Sequence, residues 1–166
     1  MRSKEIDFIK IIERLTEYKV EFIIVGGVCA VLHGAPVTTF DLDIVHNRSP
    51  ENIERLLKVL VELEAYYRTR KDIRIEPDKK GLTLPGHHLL MTNAGPLDLL
   101  GTIGESEDYN DLLKDVEEIE ISGKKVQLQS LESLIKIKQF LGGEKDRAVI
   151  PILQRTLEEK KKQKRD

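Results

Sequence analysis

The chain has 166 residues, of which 40% are apolar and 34% charged, with a net charge of −2 and one cysteine. These values predict one packed domain over residues 1–166, exclude an intrachain disulfide and give no overall electrostatic reason for nucleic-acid binding. Because no signal peptide and no apolar run of membrane length is visible, the cytoplasm is the expected compartment.

Hydrophobic periodicity and turn residues predict alternating helices and strands in the first part of the chain. The predicted elements, in order, are a helix over 4–17 with Ser3 as its N-cap and Ile9, Ile12 and Leu15 on its buried face, a buried strand over 22–25, a short apolar helix over 28–32, an extended segment over 40–45, and a helix that begins at Ser49-Pro50. The cysteine, Cys29, falls in the short apolar helix and is expected to be a small core residue.

The second part of the chain predicts two strand pairs and two closing helices. The predicted elements are strands over 66–70 and 72–75, an exposed loop over 77–86, a hairpin of 87–92 and 96–103 around Asn93-Ala94-Gly95, a strand pair of 118–121 and 125–128, and helices over 131–141 and about 144–162, the last kinked at Pro151. This order predicts a mixed sheet with helices on one side, an α/β or α+β architecture. The basic tail over 160–166 is interpreted as a solvated helix end, with contact to a phosphate backbone as the alternative.

Three aspartates form the main candidate site. Asp41 and Asp43 alternate along one extended segment and therefore point to the same face, where two carboxylates repel each other unless a cation lies between them. Asp98 lies in the otherwise apolar strand 96–100, where it needs a partner. If the two strands are neighbours, the three carboxylates converge and suit Mg²⁺, which takes oxygen ligands and shares substrate phosphates. A structural, hydrogen-bonded role for Asp98 is the alternative.

Two further groups of residues are candidates for phosphate binding. Gly26 and Gly27 follow a strand and would let backbone N–H groups approach a phosphate closely, although an ordinary turn explains them as well. In the closing helices Lys138 falls within an apolar stripe and Asp146 lies on the apolar side of the next helix. They form either a structural ion pair or a site in which Lys138 and Lys145 face a triphosphate while Asp146 orients one of them. The four histidines do not have metal-site spacing, and His88 shares strand parity with Leu90, which in a tight hairpin would face Asp98.

The order of these residues resembles the nucleotidyltransferase-like superfamily that includes DNA polymerase β. That pattern is a Gly-Gly or Gly-Ser turn after a strand, a short helix, Asp-x-Asp and a later third carboxylate, here Gly26-Gly27, Asp41-Leu42-Asp43 and Asp98. Residues 26–45 and 130–153 are similar, more narrowly, to the AbiEii/MenT-type branch of bacterial, toxin-associated nucleotidyltransferases. The closing segment of that branch has a lysine followed by a Lys-Asp pair, here matched by Lys138, Lys145 and Asp146.

The resemblance implies a Mg²⁺-dependent nucleotidyltransferase that moves a nucleoside monophosphate from an NTP to a hydroxyl of tRNA, protein or a small molecule. Asp41 and Asp43 would hold the metal. Asp98 would bind it and help to deprotonate the acceptor, while Gly26, Gly27 and Thr39 would cradle phosphates that Lys138 and Lys145 neutralise.

The chain departs from the branch at two positions that usually carry arginine, Val37 and Gly143-Glu144. These losses favour, as an alternative, a non-catalytic binding module such as a toxin partner or regulator. A purely structural α/β domain would require the three aspartates to be dispersed in space.

Overall fold

The computed structural model describes residues 5–165, which form one seven-stranded sheet and seven helices. The strands are β1 (Phe22–Val25), β2 (Leu42–His46), β3 (Tyr66–Tyr67), β4 (His87–Thr92), β5 (Gly95–Leu100), β6 (Val116–Ile121) and β7 (Lys124–Gln129). The helices are α1 (Phe8–Glu17), α2 (Gly26–Leu32), α3 (Pro50–Glu62), α4 (Lys79–Thr83), α5 (Tyr109–Leu113), α6 (Leu131–Leu141) and α7 (Glu144–Arg165). The predicted mixed α/β architecture is confirmed.

The sheet has the strand order β3-β4-β5-β2-β1-β7-β6. β2 lies at its centre, antiparallel to β1 and parallel to β5, and β1 is parallel to β7. The two hairpins, β4–β5 and β6–β7, pair antiparallel as the sequence predicts. The strand that carries Asp98 is therefore the neighbour of the strand that carries Asp43.

The main hydrophobic core lies on one face of the sheet, which α1, α3 and part of α6 cover. Alternate strand residues such as Ile24, Ile44 and Leu99 are fully buried there. The opposite face has a smaller apolar cluster, in which α5 and Ile137 of α6 pack on Ile23, Val25 and Val45. The prediction of helices on one side only is thus wrong, because α5, which the sequence patterns did not reveal, covers part of the second face.

The first helix begins later than predicted. It starts at Phe8, where the side chain of Asp7 caps it, and residues 5–7 are not helical. The proposed cap, Ser3, lies outside the described residues. Ile9 is 44% exposed and Ile11 lies in the core instead, so the predicted buried face is displaced by part of a turn. The third helix begins as predicted.

The segment between α3 and β4 differs most from the prediction. Only Tyr66–Tyr67 pairs as a strand within the predicted strands 66–70 and 72–75. The predicted exposed loop 77–86 contains α4, which Leu82 anchors in the core with no exposed surface. A single apolar side chain among polar neighbours gives no periodic signal, and this helix was therefore missed.

The closing helices follow the prediction, with one correction at the tail. α7 continues through Pro151 to Arg165, and the kink expected at that proline stays a prediction. Lys160 is not part of a solvated end: its Nζ lies 2.8 Å from Nδ1 of His33 and 3.1 Å from Oε2 of Glu117. This contact fastens α7 to α2 and β6. Between residues 5 and 165 we find no helix with the length and apolar character needed to span a bilayer.

Candidate active site

A row of side chains crosses the second face of the sheet on four adjacent strands. The register pairs Val25 with Asp43, Asp43 with Asp98, and Asp98 with Leu89. Neighbouring strands lie about 4.8 Å apart, so Asp43 and Asp98 stand side by side on parallel strands. The adjacency on which the predicted carboxylate site depends is thus present.

Asp43 is held largely in its neutral form in the absence of a ligand. Burial raises its pKa from 3.8 to about 8, and a hydrogen bond to Asp98 together with the charges of Asp98 and Asp41 adds to the effect, while Lys138 opposes it. The physical cause is the crowding of like charges away from water. A site that keeps a proton on one carboxyl group at neutral pH is one in which a bound cation would replace that proton.

Asp41 lies just before the strand rather than within it, because β2 begins at Leu42. Its backbone carbonyl accepts a hydrogen bond of 3.2 Å from Oγ1 of Thr39. Its side chain is 43% exposed and its Oδ2 lies 3.8 Å from Nη2 of Arg68, which also contacts Asp98. The three aspartates are therefore gathered around one spot and not dispersed.

Arg68 is a functional candidate that the sequence patterns did not reveal. Its Nη1 donates to Oδ1 of Asp98 at 2.5 Å and to the carbonyl of Leu90 at 2.9 Å. Its backbone N–H donates to the carbonyl of Leu89, which extends the β3–β4 register by one residue and aligns Arg68 with Asp98. That register is the signal that could have identified Arg68, and it requires knowing that β3 and β4 pair.

The chemistry of the donor set suits a hard divalent cation, although its side chains are paired with other groups. Three carboxylates offer the oxygen ligands that Mg²⁺ takes. In the part of the chain that the structure describes, however, no three His, Cys, Asp or Glu side chains are spaced to grip a metal at once. Instead, Arg68 binds Asp98 and approaches Asp41, and burial together with Asp98 raises the pKa of Asp43. A metal would have to displace the guanidinium from Asp98 and the proton from Asp43.

The glycine turn after β1 is built around these carboxylates. Gly26 has φ +68°, a conformation that glycine adopts freely, and a Cβ at this position would collide with the carboxylate of Asp43. A Cβ on Gly27 would lie 2.7 Å from Cβ of Thr39. Glycine is required at both positions because the side chains of Asp43 and Thr39 lie close to the backbone, and not only because the chain turns there. The start of α2, Thr39 and Asp43 can therefore pack against one another.

We expect Gly26→Ala to disable the site by displacing Asp43. Gly34→Ala is the matched control, because Gly34 also has a positive φ (+98°), whereas a Cβ added there would meet no atom within 4 Å. Both variants therefore carry backbone strain, which for an L residue at positive φ costs about 1–2 kcal/mol. Only Gly26→Ala should also lose nucleotide binding in calorimetry; equal binding by both variants would contradict the packing described.

A cavity of about 280 Å³ adjoins Asp43 on the same face. Asp43 and Lys138 form its charged side, and the apolar part of its wall is made by Val25, Leu100, Ile103, Leu134, Ile137 and Leu141. The polar side chains of His87, Thr102, Ser106 and Gln129 complete the wall. A small cavity with apolar walls and a few convergent polar groups is typical of a ligand site. An apolar group bound in this cavity would lie next to Asp43 and Lys138.

The closing helices contribute one cation to this site. Nζ of Lys138 donates to Oδ1 of Asp146 at 2.9 Å, and both side chains are about three-quarters buried, at 26% and 21% exposure. The predicted Lys138–Asp146 ion pair is thus confirmed, and Lys138 also lines the cavity. Lys145 is exposed, and it has no ion pair or side-chain hydrogen bond with the described residues. Its proposed contact with a phosphate stays a prediction.

One histidine, His87, lines the cavity beside Asp43, whereas His88 lies on the other face of the sheet. The predicted approach of the His88 and Leu90 face to Asp98 is wrong, because Leu89 is the residue opposite Asp98 and His88 points to the main core. There its Nδ1 lies 2.8 Å from the hydroxyl of Tyr67. Cys29 is fully buried as predicted, and burial raises the pKa of its thiol to about 12.

Among known proteins, the chain is similar to several solved structures. Neither a scan against models of protein families nor a search of curated protein sequences finds a match. Among solved structures, a candidate nucleotidyltransferase from Thermotoga maritima is 23% identical, with 90% of this chain and 89% of that one covered and a TM-score of 0.54. The lincosamide antibiotic adenylyltransferase LnuA, solved with lincomycin, is 15% identical, with 92% and 98% covered and a TM-score of 0.61.

The antibiotic-resistance factor ANT(2'')-Ia is also similar, with 16% identity, 89% and 80% coverage and a TM-score of 0.57. At these identities the similarity shows the fold, and the chain has a nucleotidyltransferase-like fold along nine-tenths of its length. The predicted superfamily resemblance is supported at this level. The narrower AbiEii/MenT-type assignment stays a prediction.

Proposed function

We propose that the protein transfers a nucleoside monophosphate from an NTP to a hydroxyl acceptor, with Mg²⁺ as its cofactor. One observation carries the proposal: Asp43 and Asp98 are paired in register on parallel strands, with Asp41 beside them and a glycine turn packed against Asp43. In a fold shared with adenylyltransferases, this arrangement gathers carboxylates beside a cavity that a lysine lines.

The proposal gives each candidate residue a role. Asp41 and Asp43 would hold Mg²⁺ with Asp98, and the bound ion would supply Lewis-acid stabilisation of charge on the phosphates. Gly26, Gly27 and Thr39 would border the triphosphate, with Lys138 neutralising it and Lys145 reaching it from the start of α7. The apolar cavity between α6 and the end of β5 would take the base or sugar of the nucleotide.

The transfer step forms a bond between the acceptor oxygen and the α-phosphorus. The bond between the α-phosphorus and the oxygen that bridges to the β-phosphate breaks, and pyrophosphate leaves. Asp98 would take the acceptor proton, a role supported by its position between Asp43 and the outer strands of the sheet. Most of the rate enhancement would come from positioning and from fixed charges rather than from covalent chemistry.

The acceptor is proposed as a class only. A hydroxyl on tRNA, on a protein or on a small molecule would satisfy the chemistry. The similarity of the fold to LnuA, solved with lincomycin, makes a small-molecule acceptor a reasonable one to test beside tRNA and protein.

The test is a transfer assay with α-labelled NTPs. Each of the four nucleotides is incubated with the protein and Mg²⁺ in the presence of total tRNA, a protein extract, or lincomycin. We expect label on one acceptor class with the wild type and none with Asp43→Asn. Failure of the wild type to bind any NTP in calorimetry, together with no label on any acceptor, would contradict the proposal.

A second candidate function is a non-catalytic binding module, such as the partner of a toxin. The contact of Arg68 with Asp98 and Asp41 favours it, because Arg68 supplies both carboxylates with a positively charged partner from the chain itself. Co-purification of a stable protein partner, with no turnover of labelled NTP, is its expected result. Label transferred to any acceptor by the wild type, and lost in Asp43→Asn, would exclude it.

A further inference from the structure

Arg68 occupies the position from which a cation can reach two of the three aspartates. Its guanidinium donates to Oδ1 of Asp98 at 2.5 Å and lies 3.8 Å from Oδ2 of Asp41. Among the described residues, it is the only arginine or lysine that forms an ion pair with either aspartate. The side chain is 24% exposed, so its charge is only partly screened by water.

The guanidinium and a divalent ion compete for the same carboxylate. Arg68 holds Oδ1 of Asp98, and a metal bound by that carboxylate would bring two further positive charges to within a few ångströms of the guanidinium. Like charges at such separations repel strongly when they are half buried. Arg68 and the metal therefore cannot both keep their best positions on Asp98.

The backbone of Arg68 is fixed, whereas its side chain can adopt a second position. The backbone N–H is bonded to the carbonyl of Leu89 at the end of β3, which holds the Cα at the sheet. The next residues, Thr69 and Arg70, are not part of β3 or β4. An arginine side chain anchored in this way can swing its guanidinium from a carboxylate to a phosphate, which has the matching geometry for a two-pronged contact.

We propose that Arg68 is a displaceable counter-ion that couples metal binding to nucleotide binding. Without nucleotide it holds Asp98 and weakens the affinity for metal. When a metal–nucleotide complex enters, the guanidinium leaves Asp98 and binds a phosphate oxygen. Metal and nucleotide then increase each other's affinity by the same factor, since the coupling is reciprocal. The inference rests on the proposed function, because it assumes that the three aspartates bind a metal and a nucleotide.

The test is titration calorimetry of Mn²⁺ with and without a non-hydrolysable ATP analogue. Arg68→Gln removes the charge, Arg68→Lys keeps the charge without the planar fork, and Arg70→Gln is the matched control, because Arg70 pairs with the exposed Asp72 and not with the site. Thermal unfolding of each variant verifies the fold. We expect Arg68→Gln to bind Mn²⁺ alone about 10-fold more tightly, with the gain on adding nucleotide reduced about 10-fold. Arg68→Lys should lie between, and Arg70→Gln should match the wild type.

The result that would overturn the inference is unchanged or weaker Mn²⁺ binding by a folded Arg68→Gln. Its failure is distinct from that of the proposed function. A wild type that transfers label while Arg68→Gln binds Mn²⁺ no more tightly leaves the function standing and removes the counter-ion role. If Arg68→Gln binds Mn²⁺ more tightly while the wild type transfers no label, the counter-ion role stands and the proposed transfer activity is removed.

Discussion

Asp43→Asn should abolish nucleotidyl transfer and at the same time stabilise the ligand-free protein. The amide keeps the shape of the carboxyl group and can donate the hydrogen bond to Asp98, but it cannot ionise beside two other carboxylates. We expect activity to fall at least about 1,000-fold, as when a group essential for charge stabilisation is removed. The free energy of unfolding at pH 8 should rise by about 1–3 kcal/mol, because the amide needs neither the bound proton nor the crowded negative charge that Asp43 must accept when the chain folds at this pH.

The pH dependence of stability follows from the same residue. The pKa of Asp43 is about 8 in the folded chain and near the ordinary 3.8 when unfolded, so between these values the folded state binds more protons. Its contribution to stability is therefore fully present below pH 3.8 and is lost as the pH rises towards 8. His46, whose pKa burial lowers to about 4, acts in the opposite sense between pH 4 and 6.5.

The measurement is urea unfolding of the wild type and Asp43→Asn from pH 5 to 8.5. The difference between the two proteins cancels the contribution of His46 and isolates that of Asp43. We expect the variant's advantage to grow with pH. Asp72→Asn, at an exposed carboxylate bound to Arg70, is the control and should show no such growth. An advantage that stays constant or shrinks with pH would show that Asp43 is ionised in the free chain.

Lys138→Met should weaken NTP binding by about 10- to 100-fold, and the loss of the ion pair with Asp146 should also lower stability. Methionine keeps much of the apolar stem of the Lys138 side chain, and it removes the lysine charge that lines the cavity beside Asp43. A charge-assisted hydrogen bond to a phosphate is worth about 1.5–3 kcal/mol, which corresponds to this range. Calorimetric titration with an ATP analogue and Mg²⁺ measures the change directly.

Two controls separate phosphate binding from the structural ion pair. Lys136→Met removes a lysine from the exposed side of the same helix and should leave NTP binding unchanged. Lys138→Met combined with Asp146→Asn removes both partners of the pair, so no uncompensated carboxylate remains. If the double variant regains wild-type affinity for NTP, then Lys138 serves the fold alone and does not contact the triphosphate.

The sequence predicted those elements whose residues have strong periodicity or turn chemistry. β1, the hairpin around Asn93 and α6 match because each combines an apolar pattern with a glycine or a capping residue at its end. The segment 66–86 could not be predicted, because β3 has two residues and α4 buries only Leu82. Such short elements are defined by contacts with distant parts of the chain rather than by local pattern.

The candidate site also contains residues that could be predicted from the sequence and features that could not. Asp43 and Asp98 could be found from the chain, since a carboxylate in an apolar strand stands out wherever it occurs. Arg68 could not be found from the chain, because an arginine is common in exposed segments and only its alignment across β4 brings it to Asp98. The cavity could not be predicted either, because its walls come from the end of β5, the following loop and α6. Residues distant along the chain define it together.

The most direct test of the central claim is a crystal structure of the protein grown with Mn²⁺ and a non-hydrolysable NTP analogue. The anomalous signal of manganese locates the ion without reference to its ligands. We predict a peak between Asp41, Asp43 and Asp98, with the phosphates of the analogue beside Gly26 and Lys138. A well-ordered analogue with manganese elsewhere, or with Arg68 still on Asp98 and no ion among the three carboxylates, would contradict it.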